Sequence, residues 1–114
     1  MPMLLIRTNR DLTSDDRRDL LRTASALCAQ ALGKSEDYVM TTLECDRPMT
    51  FAGSDAPCAY LELKSLGLTA EQTPALSQTL CRFVEEKLGI PQERVYIEFS
   101  APERPFWGWN GRTF

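Results

Sequence analysis

The sequence predicts an α/β (α+β) protein made of two successive β-α-β units, with four strands in one sheet and both helices on the same face. Three observations predict it. The chain has 114 residues, the size of one compact domain, and dividing it would leave each half with a marginal core. Hydrophobic residues make up 43% and charged residues 25%, the balance of an ordinary globular protein rather than a disordered or fibrous one. The third observation is internal repetition. The offset that superposes Gly89 on Gly33 also brings Leu68-Thr69 onto Leu12-Thr13, Leu76 onto Leu20, Phe83-Val84 onto Leu27-Cys28 and Val95 onto Val39. We therefore read residues 1–114 as a single domain, with a first repeat at about 2–45, a second at about 58–100 and a C-terminal strand at about 105–114.

Each element follows from local chemistry. Pro2 to Thr8 reads as a strand, and Thr13 is the N-cap of a helix whose opening turns carry Asp15, Asp16 and Asp19, where the helix dipole favours negative charge. Leu20, Leu21, Ala24, Leu27, Cys28, Ala31 and Leu32 recur at three- and four-residue steps, and Gly33 supplies the left-handed residue that ends the helix. Val39 to Glu44 is the second strand and Cys58 to Ser65 the third. Thr69-x-x-Gln72 has the form of a capping box. Pro74 fits better at a first helical position, so the regular helix starts either at the box or at Thr73. Leu76, Leu80, Phe83, Val84 and Leu88 form its apolar face, Gly89 closes it and Pro91 prevents its resumption. Arg94 to Phe99 is the fourth strand, and Phe106, Trp107 and Trp109 read as a short terminal strand or hairpin.

So short a strand-helix-strand unit forces a right-handed parallel crossover, and two units joined edge to edge leave one sheet face without helices. In the first strand Pro2, Leu4 and Ile6 point one way while Met3 and Leu5 point the other, so both faces carry apolar side chains. One copy cannot bury both, and a closed homo-oligomer is the expected form.

Composition excludes several function classes. Thirteen basic against sixteen acidic residues give a net charge of −3, with no basic run to bind nucleic acid or an anionic membrane. There is no histidine, so the common zinc sets and Ser/His/Asp catalysis lack their usual ligand or base; no metal and no cofactor is expected. Cys28, Cys45, Cys58 and Cys81 form no C-x-x-C pair, and Cys28 and Cys81 fall on helical apolar positions as small buried hydrophobes. The apolar opening is cut short by Arg7 and Arg10, and no stretch approaches the ~20 apolar residues of a membrane span, which makes the cytosol the default residence.

The unusual feature is Pro2 directly after Met1, at the head of a strand that the repeat buries. Methionine is generally trimmed before small residues, leaving a free secondary amine. An α-amino group starts near ~8, and burial or a nearby cation lowers it toward the operating pH of a general base. Met-Pro openings are common, so context has to supply the meaning.

That context runs almost end to end: Met1-Pro2-Met3 with Thr8-Asn9; Ala31-Leu32-Gly33-Lys34 with Tyr38; Met49-x-Phe51-x-Gly53-Ser54-x-x-Pro57-Cys58-Ala59; Ser65-Leu66-Gly67; Arg94-Val95-Tyr96-Ile97; and Gly108-Trp109-Asn110 with Thr113-Phe114. In this order and spacing the chain resembles the macrophage migration inhibitory factor family of the tautomerase superfamily. The resemblance implies a homotrimer and a cofactor-free isomerase that catalyses keto-enol tautomerisation of phenylpyruvate-like or dopachrome-like substrates. It implies Pro2 as acid/base and Lys34 as the cation that holds the substrate carboxylate and helps keep the amine neutral. Met3, Ser65 and Leu66 would line the pocket, Tyr96 would come from the neighbouring subunit, and Tyr38, Trp107, Trp109 and Phe114 would make an aromatic wall. Family members in animals also act as secreted cytokines by routes lacking a signal peptide. Receptor binding with weak or vestigial catalysis is therefore the alternative function.

Three positions depart from the vertebrate pattern. Glu98 stands where an asparagine is usual and puts a carboxylate toward the substrate space. Trp107 replaces a smaller aliphatic residue and narrows the mouth. Tyr60 and Leu61 follow Cys58-Ala59, which removes the second cysteine of the vertebrate C-x-x-C and with it the thiol-oxidoreductase activity proposed for that motif.

Overall fold

In a computed structural model describing residues 1–114, the chain runs β1 (Pro2–Thr8), α1 (Ser14–Leu32), β2 (Met40–Glu44), β3 (Ala59–Ser65), α2 (Thr73–Leu88), β4 (Val95–Ser100), then a small hairpin of β5 (Gly108–Trp109) and β6 (Arg112–Thr113). The main sheet has the order β2-β1-β3-β4. Within each repeat the strands are parallel, β1 with β2 and β3 with β4; the repeats join through an antiparallel β1–β3 pair in which Pro2 faces Ser65 and Thr8 faces Ala59. An antiparallel seam between two parallel crossovers places β1 and β3 at the centre.

The predicted caps are present, with one refinement. Thr13 accepts from the Asp16 amide, and Gly33 and Gly89 end α1 and α2 in the left-handed region, at φ 63° and 66°. The Thr69/Gln72 box closes a 3₁₀ turn, Ala70–Gln72, and the α-helix starts at Thr73 with Pro74 in its first turn. Proline lacks an N–H, which is no loss where the helix has no acceptor to offer. A second 3₁₀ turn, Glu36–Tyr38, delays β2 by one residue, to Met40.

The core lies between sheet and helices. Leu4, Ile6, Leu61 and Leu63 from the central strands meet Leu20, Ala24 and Cys28 of α1 and Leu76, Leu80, Phe83, Val84 and Leu88 of α2. Burial of a large side chain among these contributes roughly 1.5–3 kcal/mol. Cys28 is buried as expected, whereas Cys81 is only half-buried at the core margin.

The other face is less apolar than β1 alone suggests. Register places three rows across it: Thr42-Leu5-Glu62-Glu98 in the middle, Met40-Met3-Lys64-Ser100 on one side and Glu44-Arg7-Tyr60-Tyr96 on the other. Arg7 pairs with Glu44, and the Tyr60 hydroxyl lies 3.0 Å from Glu62 Oε1 and 2.8 Å from Glu98 Oε2. Those carboxylates push the Tyr60 phenol well above its ordinary value, the Glu98 hydrogen bond most of all. Apart from the rings of Tyr60 and Tyr96, its apolar side chains are Met3, Leu5 and Met40, so the face is amphipathic. No helix is long and apolar enough to cross a membrane.

The loop between β2 and β3 is fixed by side chains reaching into its backbone. Thr8 Oγ1 donates to Cys58 O at 2.8 Å, while Asn9 accepts from the Cys58 amide at 2.9 Å and donates to Asp55 O and Ala56 O. From the opposite side the Arg94 guanidinium donates to the carbonyls of Phe51, Ser54, Ala56 and Pro57 at 2.9–3.1 Å. Thr8-Asn9 and Arg94 thus hold one loop between them.

Candidate active site

Pro2 is at the head of β1, with its side chain fully buried on the helix face and its backbone paired to Ser65. A cavity of about 410 Å³ adjoins it, lined by Met1, Met3, Asp37, Tyr38, Val39, Met40, Trp107, Gly108 and Trp109 as well as Pro2. Next to it is a larger one, of about 930 Å³, where Lys34, Leu66, Gly67, Phe114 and the Ala101–Pro105 segment join Met1, Tyr38 and Trp109, with Arg112 on its wall. Met1, Tyr38 and Trp109 line both.

Each wall has a local cause. Gly33 turns the chain out of α1, and Lys34 Nζ donates to Leu66 O at 2.8 Å, tying the end of α1 to the end of β3. Leu66 and Gly67 lie where β3 turns away, Gly67 at φ 76°. Asn110 and Gly111, at φ 53° and 74°, form the two-residue turn of the β5–β6 hairpin; successive left-handed residues match the twist of a tight hairpin. That turn presents Trp109 to Tyr38 edge-on at 5.6 Å and stacks it on Phe114 at 5.8 Å.

The electrostatics of the cavity favour a neutral amine. The Met1 ammonium, which precedes Pro2, is held below its ordinary value of 8.0, first by burial and then by repulsion from Lys34. Lys34 is thus close enough to the chain start to disfavour a second positive charge.

Of the residues singled out from sequence, Pro2, Met3, Tyr38, Trp107 and Trp109 gather at the smaller cavity, and Lys34, Leu66 and Phe114 at the larger. Ser65 is fully buried behind Pro2 and lines neither. Tyr96 and Glu98 are not at the site of their own chain. Tyr96 stands in the row of Arg7, five residues along β1 from Pro2, or roughly 17 Å at strand rise, and packs on Phe51. Glu98 is on the helix-free face, bound to Tyr60. Sequence reading missed Arg104 and Arg112, which line the larger cavity. The only signal was their place in a Pro-rich loop and a Trp-Asn-Gly turn, both of which read as mere connections.

A proline-headed central strand beside a lysine, set in two fused β-α-β units, defines a protein with the fold of the tautomerase superfamily. The family model described as Macrophage migration inhibitory factor (MIF) matches residues 1–114, and the chain belongs to that family. It is 36% identical to the macrophage migration inhibitory factor of Mus musculus, over 100% of this chain and 99% of that one. The structure of the homologue from Prochlorococcus marinus superposes with a TM-score of 0.92 at 42% identity, covering 98% of each chain. That of the Trichinella spiralis protein superposes with a TM-score of 0.90 at 33% identity, covering 98% of this chain and 99% of that one.

Proposed function

We propose that the protein is a cofactor-independent keto-enol tautomerase for phenylpyruvate-like or dopachrome-like substrates, with Pro2, freed by removal of Met1, as general acid/base. Family membership supports a tautomerase activity of the isomerase class in general. The observation that carries the specific reading is the pair of adjoining cavities, where Pro2 lies beside an aromatic wall and Lys34 is near enough to depress the Met1 amine, one residue ahead of Pro2.

The Pro2 nitrogen takes a proton from the carbon next to the keto group, the C–H electrons form the C=C bond, the C=O π pair moves onto the oxygen, and Pro2 returns its proton there. Substrate and product are isomers, so no electron acceptor is consumed. Lys34 holds the carboxylate, while Tyr38, Trp107, Trp109 and Phe114 cover the ring. Tyr96 and Glu98 serve from a neighbouring subunit in a homotrimer, which accounts for their distance from Pro2 of their own chain.

In the test, phenylpyruvate tautomerisation is followed with protein whose intact mass shows Met1 removed. Activity is expected in that form, with none in a form that retains Met1 and none in Pro2→Gly. A Pro2→Gly protein as active as the parent refutes the mechanism. Sedimentation at three times the chain mass is expected, and a monomer refutes the shared site.

A further inference from the structure

The chain carries more acidic than basic residues, yet its larger cavity has the opposite sign. Lys34, Arg104 and Arg112 line it, and Glu103 is the only acidic side chain among its lining residues. None of the three cations takes part in a salt bridge; the four in the molecule use Arg7, Arg17, Arg47 and Lys64. Arg104 makes no side-chain hydrogen bond, whereas Arg94, by contrast, spends its donors on four carbonyls. Arg112 is paired with Trp109 across the hairpin and rests its guanidinium over the indole, 5.2 Å from the ring centroid. With no hydrogen bond or salt bridge of its own, that guanidinium has its N–H fork unspent, and the fork matches a carboxylate.

One cation suffices for a 2-keto acid with a single carboxylate. Resting on the tautomerase reading, in which Lys34 takes that group, we propose that Arg104 and Arg112 form a second anion subsite, and that the preferred substrate is a 2-keto acid with a further carboxylate at its far end. Tyr38, Trp109 and Phe114 line the same cavity and offer ring surface to a substrate with a flat or extended apolar middle. Glu103, in the same loop as Arg104, disfavours neutral-tailed ligands less than it disfavours anionic ones, so selectivity rests on the two arginines outweighing it.

A matched pair of substrates tests this: phenylpyruvate and its ring 4-carboxy analogue. We expect kcat/KM to favour the dianion by about tenfold at low salt, with the preference shrinking as ionic strength rises. Arg104→Gln combined with Arg112→Gln is expected to abolish the preference, and the double lysine replacement to restore part of it. Arg82→Gln, on the exposed side of α2, changes the same charge elsewhere and is expected to leave the ratio intact. Equal kcat/KM for the two substrates in the parent, or a preference that survives the double glutamine variant, overturns the subsite. Binding is read separately by tryptophan fluorescence with 3-phenylpropionate and its 4-carboxy analogue, neither of which can be turned over. If neither keto acid reacts but the dicarboxylate still binds tenfold more tightly through the two arginines, the tautomerase reading fails and the subsite stands. Equal binding of the two probes removes the subsite whatever the catalysis.

Discussion

Replacing Thr8 by valine exchanges a hydroxyl for a methyl and otherwise keeps the shape of a fully buried side chain. The hydroxyl donates to Cys58 O at 2.8 Å and accepts from the Arg10 amide at 3.1 Å. Arg10 is exposed and its amide can turn to water, but the Cys58 carbonyl belongs to a buried residue. Stranding a buried acceptor costs about 1–3 kcal/mol, and losing the two bonds adds about 1 kcal/mol net. The new methyl returns about 0.8 kcal/mol. Thr8→Val should therefore lose about 2 kcal/mol, and Thr8→Ser, which keeps the oxygen and drops only a methyl, about 1 kcal/mol. Urea unfolding reads this as a fall in midpoint of about 1 M or more for the valine variant. Protein concentration must be held constant, because assembly shifts apparent stability by mass action. Hydrogen exchange gives a local readout, since the Cys58 amide and the 51–57 loop should exchange faster in Thr8→Val and not in Thr8→Ser. A valine variant within 0.5 kcal/mol of the parent, or equal loop exchange in both variants, refutes the assignment of this hydroxyl as the loop's anchor.

The other predictions concern the site, the thiols and a turn. Burial and Lys34 both hold the Met1 amine below its ordinary value; the same two causes should act on the Pro2 nitrogen once Met1 is removed, so activity should rise with pH as that nitrogen loses its proton. Lys34→Met removes only the second cause, so the rising limb should move to higher pH; a limb that stays in place separates Lys34 from the amine. Burial pushes the Cys28 thiol up to about 11, leaving about a hundredfold less thiolate than a thiol at its ordinary value, so alkylation at pH 8 should reach Cys45 and Cys81 long before Cys28. Rapid modification of Cys28 in the folded protein contradicts its packing. Ala52 lies at φ 53° in the tight Phe51–Ser54 turn, and Ala52→Asn should stabilise by about 0.5–1 kcal/mol because asparagine tolerates that region better. A lower thermal midpoint would count against the turn geometry.

Periodicity and caps made the backbone legible. Thr13, Gly33, Pro74 and Gly89 each act within one turn of themselves, so their effect can be read without knowing the fold. The seam between repeats was not legible, because nothing local states that β1 and β3 run antiparallel. The character of the helix-free face was misjudged for the same reason: Met3 and Leu5 gave it an apolar look, while the charges that share it, Arg7, Glu44, Glu62 and Glu98, arrive from three other strands or from the far end of the same one. At the site, Pro2 stood out by its place after Met1, whereas Lys34 was singled out only through family resemblance. Arg104 and Arg112 escaped because their meaning depends on a cavity assembled from the ends of four separate elements.

In the doubled architecture an amine freed at the chain start can occupy only one of two equivalent corners. Cys58 begins its half as Pro2 begins the other, and the antiparallel seam sets the two strand heads at opposite ends of the sheet. The nitrogen of residue 58 is already committed to a peptide bond with Pro57. Chain continuity alone breaks the symmetry of the two halves, and the corner around Met49, Phe51 and Tyr96 has no chain-start nitrogen to offer.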